Sequence, residues 1–370
     1  MPNELPELLA ERSQNETWRP RVFSPSDPSD AAALAALLTS GQVVAVHDRI
    51  DDQLEELIAC TNPGRRRTAR EWDSAKDEAC DGAPRWRYGN WVWYPWSARL
   101  VHVLPREQFR LVRTDRNRDK ITRADQARLL ERRIAVIGLS VGNSAALTCA
   151  MEGVGGAFRL ADHDRLGLSN LNRLRAGVSD LGVEKTVLCA RQMAEIDPYL
   201  DIEIHRGGVT EETIGHFFDG GPLDLLVEEC DTPWVKIAAR EHARRLGIPV
   251  LMDTNDRGML DVERFDVEPD RPLLHGRLGA TRSEDLSDLD RPRLIRLLLD
   301  MVDESQLSSA MTEAIARIGH TLSSWPQLAS GVVLGGALVT DTARRILLGH
   351  PVPSGRYYVD PEAIITGAGG

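Results

Sequence analysis

Two glycines in a short loop are the starting point for a functional interpretation of this sequence. Residues 133–147 read RIAVIGLSVGNSAAL, in which the apolar run IAVI predicts a strand, Gly138 and Gly142 lie in the loop, and the alanine-rich end predicts a helix. A strand, a glycine loop and a helix commonly cradle a nucleotide phosphate on backbone N–H groups. A dinucleotide fingerprint has a third glycine where this chain has Asn143, so the loop alone leaves NAD, ATP and no nucleotide open.

Polar side chains on the loops that follow help to decide between NAD, ATP and no nucleotide. Asp162 ends the next predicted strand, 24 residues after Gly138, where an acid can bond ribose hydroxyls. Later loops add Asn170, Arg173, Lys185 and Asp231. Arginine and lysine neutralise phosphoryl oxygens, and Mg²⁺ prefers one or two carboxylates together with phosphate oxygens. Because the loops after parallel strands meet at one edge of a sheet, this set of charges predicts Mg·ATP rather than NAD.

The loops that carry these residues connect predicted strands and helices that alternate regularly along the chain. From about Lys120 to Asp256 every predicted strand is followed by a predicted helix, which is typical of an α/β fold with a Rossmann-like, doubly wound and mostly parallel sheet. We predict three regions: a smaller N-terminal α/β region at 1–110, the ATP-binding domain at 111–270, and C-terminal helices with a final strand at 271–370. One of those helices, PQLASGVVLGGALVTDTARRILLG, is long, rich in small residues and suited to close packing.

The N-terminal region contains a tryptophan-rich segment, RWRYGNWVWYPW. Alternation at Trp91 and Trp93 predicts a strand that buries one aromatic face. Because aromatic side chains dominate core and interface burial, we interpret the segment as a packing or dimer surface rather than a platform for ligand stacking.

Composition excludes several other classes of protein. The 370 residues carry 45 basic and 56 acidic side chains, a formal net charge of -11, which argues against nucleic acid as the main partner. The arginine-rich run GRRRTAR is interpreted as an exposed charged loop. The N-terminus lacks a secretory pattern and no apolar stretch is long enough to span a bilayer, so we predict a cytoplasmic protein without a membrane partner. Five scattered cysteines without a CxxC pair predict neither disulfides nor a zinc site.

Four segments together resemble the ThiF/MoeB/HesA superfamily, the bacterial relatives of ubiquitin-activating enzymes. They are GLSVGNSAA, LADHDRLGLSNLNR, GVEKTVLCARQMAEIDPYLDIEI and LLVEECD, and the resemblance extends roughly from Arg133 to Asp266. It implies a homodimeric adenylyltransferase that uses Mg·ATP, in which a carboxylate attacks the α-phosphate and pyrophosphate leaves.

The resemblance also implies two overlapping sets of site residues. The catalytic set is Arg118, Arg173, Lys185 and Asp231. The ATP-binding set is Gly138, Ser140, Gly142, Asp162, Asp164, Asn170, Arg173 and Lys185. In these sets Asp162 holds the ribose, Asp164 supports the same loop or the metal, and Asp231 places Mg²⁺. Asn170, Arg173 and Lys185 bind phosphates, and Arg118, with Arg116 as the second choice, reaches the triphosphate of the neighbouring subunit.

Three departures from the usual family pattern change these expectations. Ser140 and Val141 stand where glycines are usual, which alters the shape of the phosphate loop. The paired CxxC zinc site of many relatives is missing. No cysteine follows Cys230, which we interpret as a packing residue, so the chain carries no thioester nucleophile beyond the ATP-binding region and would stop at the acyl-adenylate or pass it directly to an acceptor.

A narrower resemblance covers most of the chain. YGNWVWYPWSARLVHVLP, RGMLDVERFD and SWPQLASGVVLGGALVTDTARRILLG are similar to a MoeY-like group in which the ThiF-type domain precedes a nitroreductase-like flavin domain, so Gly370 is a candidate domain boundary. Alternatives that stay open are an ATP-binding or catalytically inactive scaffold for such a flavin enzyme, and an NAD- or FAD-dependent oxidoreductase. The activated carboxylate belongs to a carrier protein, a peptide or a small acid.

Overall fold

The computed structural model describes residues 16–286 and 291–367. Residues 1–15, 287–290 and 368–370 lie outside the described part, so parts of the predicted regions 1–110 and 271–370, with the candidate boundary at Gly370, are not covered. The chain divides into two compact units, the first ending at Asp115 and the second beginning at Arg116. The predicted regions 111–270 and 271–370 therefore fall almost wholly within one unit.

Between residues 16 and 115 the first unit contains a four-stranded sheet and four α-helices. In sheet order the strands are β1 (Arg21–Phe23), β3 (Asn90–Tyr94), β4 (Arg99–Val103) and β2 (Ala45–Asp48). The helices are α1 (Pro28–Thr39), α2 (Ile50–Thr61), α3 (Ala69–Ala79) and α4 (Arg106–Arg113). Trp91 and Trp93 are buried against Phe23, Leu34 and Leu100, which confirms the predicted strand with one aromatic face and assigns that face to packing.

The second unit is built on a seven-stranded sheet. Its strands are β5 (Arg133–Ile137), β6 (Ala157–Ala161), β7 (Asp201–His205), β8 (Leu225–Glu228), β9 (Val250–Thr254), β10 (Met259–Glu263) and β11 (Gly355–Tyr358). Its helices are α5 (Arg123–Leu130), α6 (Gly142–Glu152), α7 (Lys185–Ile196), α8 (Ile214–Asp219), α9 (Pro233–Leu246), α10 (Arg291–Val302), α11 (Ser309–Ile315), α12 (Ala329–Leu347) and α13 (Pro361–Thr366).

The strand order of this sheet creates a crevice beside β5. The order is β11-β10-β9-β8-β5-β6-β7, with β5 to β9 parallel and β10 and β11 antiparallel. The chain therefore winds outward from β5 in one direction to β7, and then crosses back to β8 and β9 on the other side. Ligands of open α/β sheets bind at this reversal, outside the carboxyl ends of the strands. The predicted α/β fold with a mostly parallel sheet is confirmed, whereas β10 was not predicted.

The small-residue helix α12 packs closely on this edge of the sheet. A Cβ atom at Gly335 would overlap the Asp253 carboxyl group, and one at Gly336 would lie 2.5 Å from Ser144 Oγ on α6. Only glycine permits this approach, because the side chains opposite are held by the sheet and by α6. The close packing predicted for this helix is confirmed, and it brings α12 against the carboxyl end of β9.

A fully buried ion network holds α9 on the strands behind the crevice. Arg240 donates from Nη1 to Glu228 on β8 and from Nε to Glu263 on β10, each at 2.5 Å, and none of the three side chains is exposed to solvent. Lys236, one turn earlier on α9, donates to the same Glu228 at 3.1 Å. Buried charges are tolerated only when they are paired and hydrogen-bonded, so this network fixes the position of α9 relative to the end of β8.

Across the described residues, no helix combines the length and the apolar character that a membrane crossing needs.

Candidate active site

A cleft of about 600 Å³ opens at the carboxyl ends of the neighbouring strands β5 and β8, where the strand order of the sheet reverses. Its walls come from the loop between β5 and α6, the end of β6, the start of α7 and the end of β8. Seven of the predicted site residues line it: Gly138, Ser140, Asp162, Asp164, Arg173, Lys185 and Asp231. The structure thus brings together side chains that are separated by up to 93 positions in the sequence.

The glycine loop passes very close to the end of β8. Gly138 has a φ of +86°, and a Cβ atom there would lie 2.7 Å from the backbone of Glu229 and Cys230. Glycine is required because it alone adopts this conformation without steric cost and leaves room for the neighbouring backbone. Gly142 acts differently, since it begins α6. A Cβ atom there would lie 2.8 Å from Val136 Cγ1, so its small size lets the helix pack on β5.

Asp162 ties the glycine loop to the loop that follows β6. Its Oδ2 accepts the Leu139 N–H at 2.7 Å, and its Oδ1 accepts the Asp164 N–H at 2.7 Å. The carboxylate that sequence analysis assigned to the ribose therefore also fixes the local backbone of two cleft walls.

Lys185 is the buried cation of the cleft. Only 5% of its side chain is exposed, and Nζ donates to Asp164 Oδ2 at 2.7 Å and to Ser140 Oγ at 2.9 Å. An ammonium group has three N–H donors, so one remains for a ligand in the cleft. Partial burial alone would raise the pKa of Asp164, but the hydrogen bond and the charge of Lys185 outweigh it and keep this pKa below its usual range.

Arg173 presents an unsatisfied donor. Its Nη1 donates to Asn172 Oδ1 at 2.8 Å, whereas its Nε is buried without a hydrogen-bond partner among the described residues. Burial lowers the pKa of the guanidinium group, because removing a charge from water disfavours the charged form. A buried donor without a partner on a cation suits an anionic ligand.

Asp231 is the carboxylate of the cleft that fits a divalent cation. It is exposed, and no hydrogen bond or ion pair of its side chain is found within residues 16–286 and 291–367. Asp162, His163 and Asp164 also place ligand atoms within 4.8 Å of one another, but Asp162 and Asp164 are already engaged by backbone N–H groups and Lys185. Mg²⁺ takes one or two carboxylates plus phosphate oxygens, so Asp231 and a bound nucleotide form a suitable donor set.

Besides Gly142, two predicted site residues do not line the cleft. Asn170 accepts the Gly167 N–H at 2.9 Å on Oδ1 and so closes the short helical turn Leu168–Asn172. Arg118 is exposed in the segment before α5. Their assigned contacts with phosphates, in the second case across a subunit interface, stay predictions.

A second cavity adjoins the cleft and was not predicted. This apolar chamber has a volume of about 190 Å³ and lies between the ends of β8 and β9, α10, α11 and β11. Its apolar lining includes Met252, Met259, Leu298, Met301, Met311 and Tyr358. It shares a wall with the cleft, formed by Val141, Glu229, Cys230, Asp231, Trp325 and Gln327.

Two carboxyl groups that sequence reasoning missed meet at the base of this chamber. Glu229 accepts the Asp253 N–H at 2.8 Å, and the carboxyl group of Asp253, a residue that is 4% exposed, lies next to that of Glu229. Burial raises the pKa of Asp253 to about 7, and burial together with the Asp253 carboxyl group raises that of Glu229. The signal available in the sequence was the position of Asp253 at the end of a strand beside the predicted site.

The raised pKa of Asp253 predicts a loss of stability on going from acidic to neutral pH. The folded protein binds this proton more tightly than the unfolded chain, so the contribution is full below the usual pKa of 3.8 and is lost as the pH rises towards about 7. We expect Asp253→Asn, which cannot ionise, to remove much of this decline. Midpoints of thermal unfolding at about pH 5 and pH 8 would measure it, with Asp270→Asn as a surface control. Equal declines in wild type and Asp253→Asn would contradict the assignment.

Comparison with known proteins identifies a family domain in this chain. Residues 114–257 match the ThiF family, so this chain carries a ThiF family domain. An uncharacterized protein of Mycobacterium tuberculosis is 43% identical over 275 residues, which cover 74% of this chain and 38% of that protein. The tRNA threonylcarbamoyladenosine dehydratase of Bacillus subtilis is 33% identical over 136 residues, which cover 36% of this chain and 53% of that enzyme. The chain thus spans less than two thirds of either relative.

Among solved structures, that of Escherichia coli MccB with MccA-N7isoASN is 12% identical and gives a TM-score of 0.49, with 84% of each chain covered.

Proposed function

We propose that this chain is an adenylyltransferase that uses Mg·ATP to activate a carboxylate as an acyl-adenylate. One observation carries the proposal. Lys185, Arg173 and Asp231 line one cleft together with the glycine loop, at the point where the strand order of the sheet reverses. The diphosphate of a dinucleotide cofactor needs fewer charged partners than these three residues provide, whereas a triphosphate with its metal ion matches all three.

The residues of the cleft would act mainly by position and charge. In the reaction a carboxylate oxygen bonds to the α-phosphorus, the bond from that phosphorus to the bridging oxygen breaks, and pyrophosphate leaves with the electron pair. Lys185 and Arg173 line the cleft and would stabilise the charge on the phosphoryl oxygens. Asp231 would hold Mg²⁺, which supplies further neutralisation of phosphate oxygens when it is bound.

No thiol step is part of the proposal. Burial raises the pKa of Cys230, which keeps the thiol protonated, and its sulfur accepts the Thr232 N–H at 3.4 Å. Cys230 also packs against the apolar core beside α9, as predicted for it. The acyl-adenylate would therefore be released or passed directly to an acceptor.

The setting of the reaction is proposed from the resemblances. The enzyme would be a cytoplasmic homodimer in which Arg118 of one subunit reaches the triphosphate of the other, with a nitroreductase-like flavin domain as a partner. The names of relatives, which include a tRNA threonylcarbamoyladenosine dehydratase and ubiquitin-like modifier-activating enzyme 5, support an acid carried by a larger molecule as one class of substrate.

ATP–pyrophosphate exchange across a panel of carboxylates tests the proposal. We expect exchange that depends on both Mg²⁺ and an added acid, because only adenylation makes pyrophosphate release reversible. ATP binding without exchange for any acid would favour the scaffold alternative. Absence of both, with binding of NAD or FAD instead, would overturn the assignment of Lys185 and Arg173 to a triphosphate.

A further inference from the structure

The apolar chamber and the cleft share one wall. Glu229, Cys230 and Asp231 at the end of β8 line both cavities, and so does Trp325 from the segment before α12. A molecule in the chamber therefore lies next to the proposed site of the metal and the triphosphate. In the proposed reaction, the only other reactant at this place is the acid.

The chamber is lined by side chains that fit a hydrocarbon group. Four methionines line it, Met252, Met259, Met301 and Met311, together with leucines from α10 and Tyr358. Methionine is flexible and polarisable and adapts to irregular apolar ligands. A volume of about 190 Å³ is enough for a branched or aromatic side chain, since an apolar cavity of roughly 150 Å³ already takes up benzene.

One buried pair of carboxyl groups also lines the chamber. Asp253, which is 4% exposed, lines the chamber beside the Glu229 carboxyl group, with which it can share a proton because burial raises the pKa of both. The chamber is thus a mainly apolar cavity that shares a wall with the cleft and has this pair of carboxyl groups at its base.

We propose that the chamber receives the hydrocarbon group of the activated acid, so that the substrate carries a branched or aromatic group close to its carboxylate. The inference rests on the proposed adenylyltransferase function and names the class of its substrate. A tail that ends in glycine would leave the chamber empty and gain nothing from its lining. An acid with a leucine-like group would fill it and bring its carboxylate to the shared wall.

Two matched pairs of acids test this inference on the full chain. The first pair is a short peptide ending in leucine and the same peptide ending in glycine, and the second is isovalerate and acetate. Calorimetry in the presence of ATP and Mg²⁺ measures binding, and pyrophosphate exchange measures activation. We expect the apolar member of a pair to be favoured by about 10- to 100-fold, as burial of one leucine side chain provides. Preference in the peptide pair alone identifies a peptide end, and preference in both identifies a small acid as sufficient.

A variant that fills the chamber separates its role from that of the cleft. Met311 lies on α11, is partly exposed and lines the chamber but not the cleft, so Met311→Trp should fill the space without disturbing the fold. We expect at least tenfold weaker binding of the leucine-ended peptide or of isovalerate, with ATP affinity unchanged. Thr312→Trp, at the exposed neighbouring position, is the control and should bind both acids like wild type.

The outcomes distinguish failure of this inference from failure of the proposed function. Binding of apolar acids that Met311→Trp abolishes, without exchange for any acid, would keep the chamber assignment and overturn adenylation. Exchange that prefers glycine-ended acids, or apolar acids that do not bind, would overturn the chamber assignment even if adenylation is established. An equal effect of Met311→Trp on both members of a pair would do the same.

Discussion

Replacing Asp231 with asparagine is expected to lower the rate of pyrophosphate exchange by roughly 10²–10³-fold, the usual cost of removing one group that stabilises developing charge. Asp231 is exposed in the wall common to the cleft and the chamber, and within the described residues its side chain has no partner to lose. The substitution keeps the size of the side chain and removes the charge that Mg²⁺ requires. The fold should therefore be unchanged while the metal-dependent step fails.

Binding measurements separate the metal from the nucleotide in this experiment. ATP affinity measured without Mg²⁺ should differ little between Asp231→Asn and wild type, whereas the gain in affinity on adding Mg²⁺ should disappear. Glu212→Gln removes a negative charge from an exposed position that does not line the cleft and is the control for a general change of potential. Exchange by Asp231→Asn within tenfold of wild type would remove this carboxylate from the proposed mechanism.

Replacing Arg240 with methionine is expected to destabilise the second unit by about 3–5 kcal/mol, the cost of leaving a buried charge without its partner. Arg240 binds Glu228 and Glu263, and all three side chains are fully buried. In the variant Lys236 still pairs with Glu228, but the charge of Glu263 loses its cation. Burial already raises the pKa of Glu263 despite the arginine, so this carboxyl group should become protonated in the variant.

Amide hydrogen exchange of β8, α9 and β10 measures this loss locally, which avoids treating two units as one cooperative transition. Arg245→Met removes an exposed arginine from the same helix and should change protection by no more than about 0.5 kcal/mol, the usual range for surface substitutions. A loss below about 1 kcal/mol in Arg240→Met would mean that the network is not needed to fix α9, and that the end of β8 is positioned by apolar packing alone.

The cleft could be predicted because its residues follow local rules. The glycine follows a buried strand, and the charged residues follow later strands or begin the next helices. Such residues converge at one edge of the sheet when the strands are parallel. This holds for Gly138, Asp162, Lys185 and Asp231, which the structure places in one cleft. Asn170 and Gly142 were assigned to nucleotide binding by the resemblance, and in the structure their visible contacts are with a turn and with β5. The contacts that a residue makes in the folded protein cannot be predicted from its spacing in the sequence alone.

The chamber could not be predicted, because its wall comes from segments that are far apart in the chain. Met252 and Met259 belong to neighbouring strands, whereas Leu298, Met311 and Tyr358 arrive from two later helices and the last strand. The antiparallel strand β10, which carries Met259, does not follow the alternation of strand and helix and was missed for that reason. In the sequence each of these residues is an ordinary apolar position of a helix or strand.

The sequence by itself determined the class of fold, the edge of the sheet at which chemistry could occur, and the charges gathered there. These depend on periodicity and on the order of strands and loops, which are local properties. Only the tertiary structure decided that Lys185 is held by Asp164 and Ser140, that Asp253 is buried beside Glu229, and that an apolar chamber lies beside the cleft. Burial, hydrogen-bond partners and cavity shape depend on how distant segments pack, because each side chain's environment is supplied by residues that are not its neighbours in the chain.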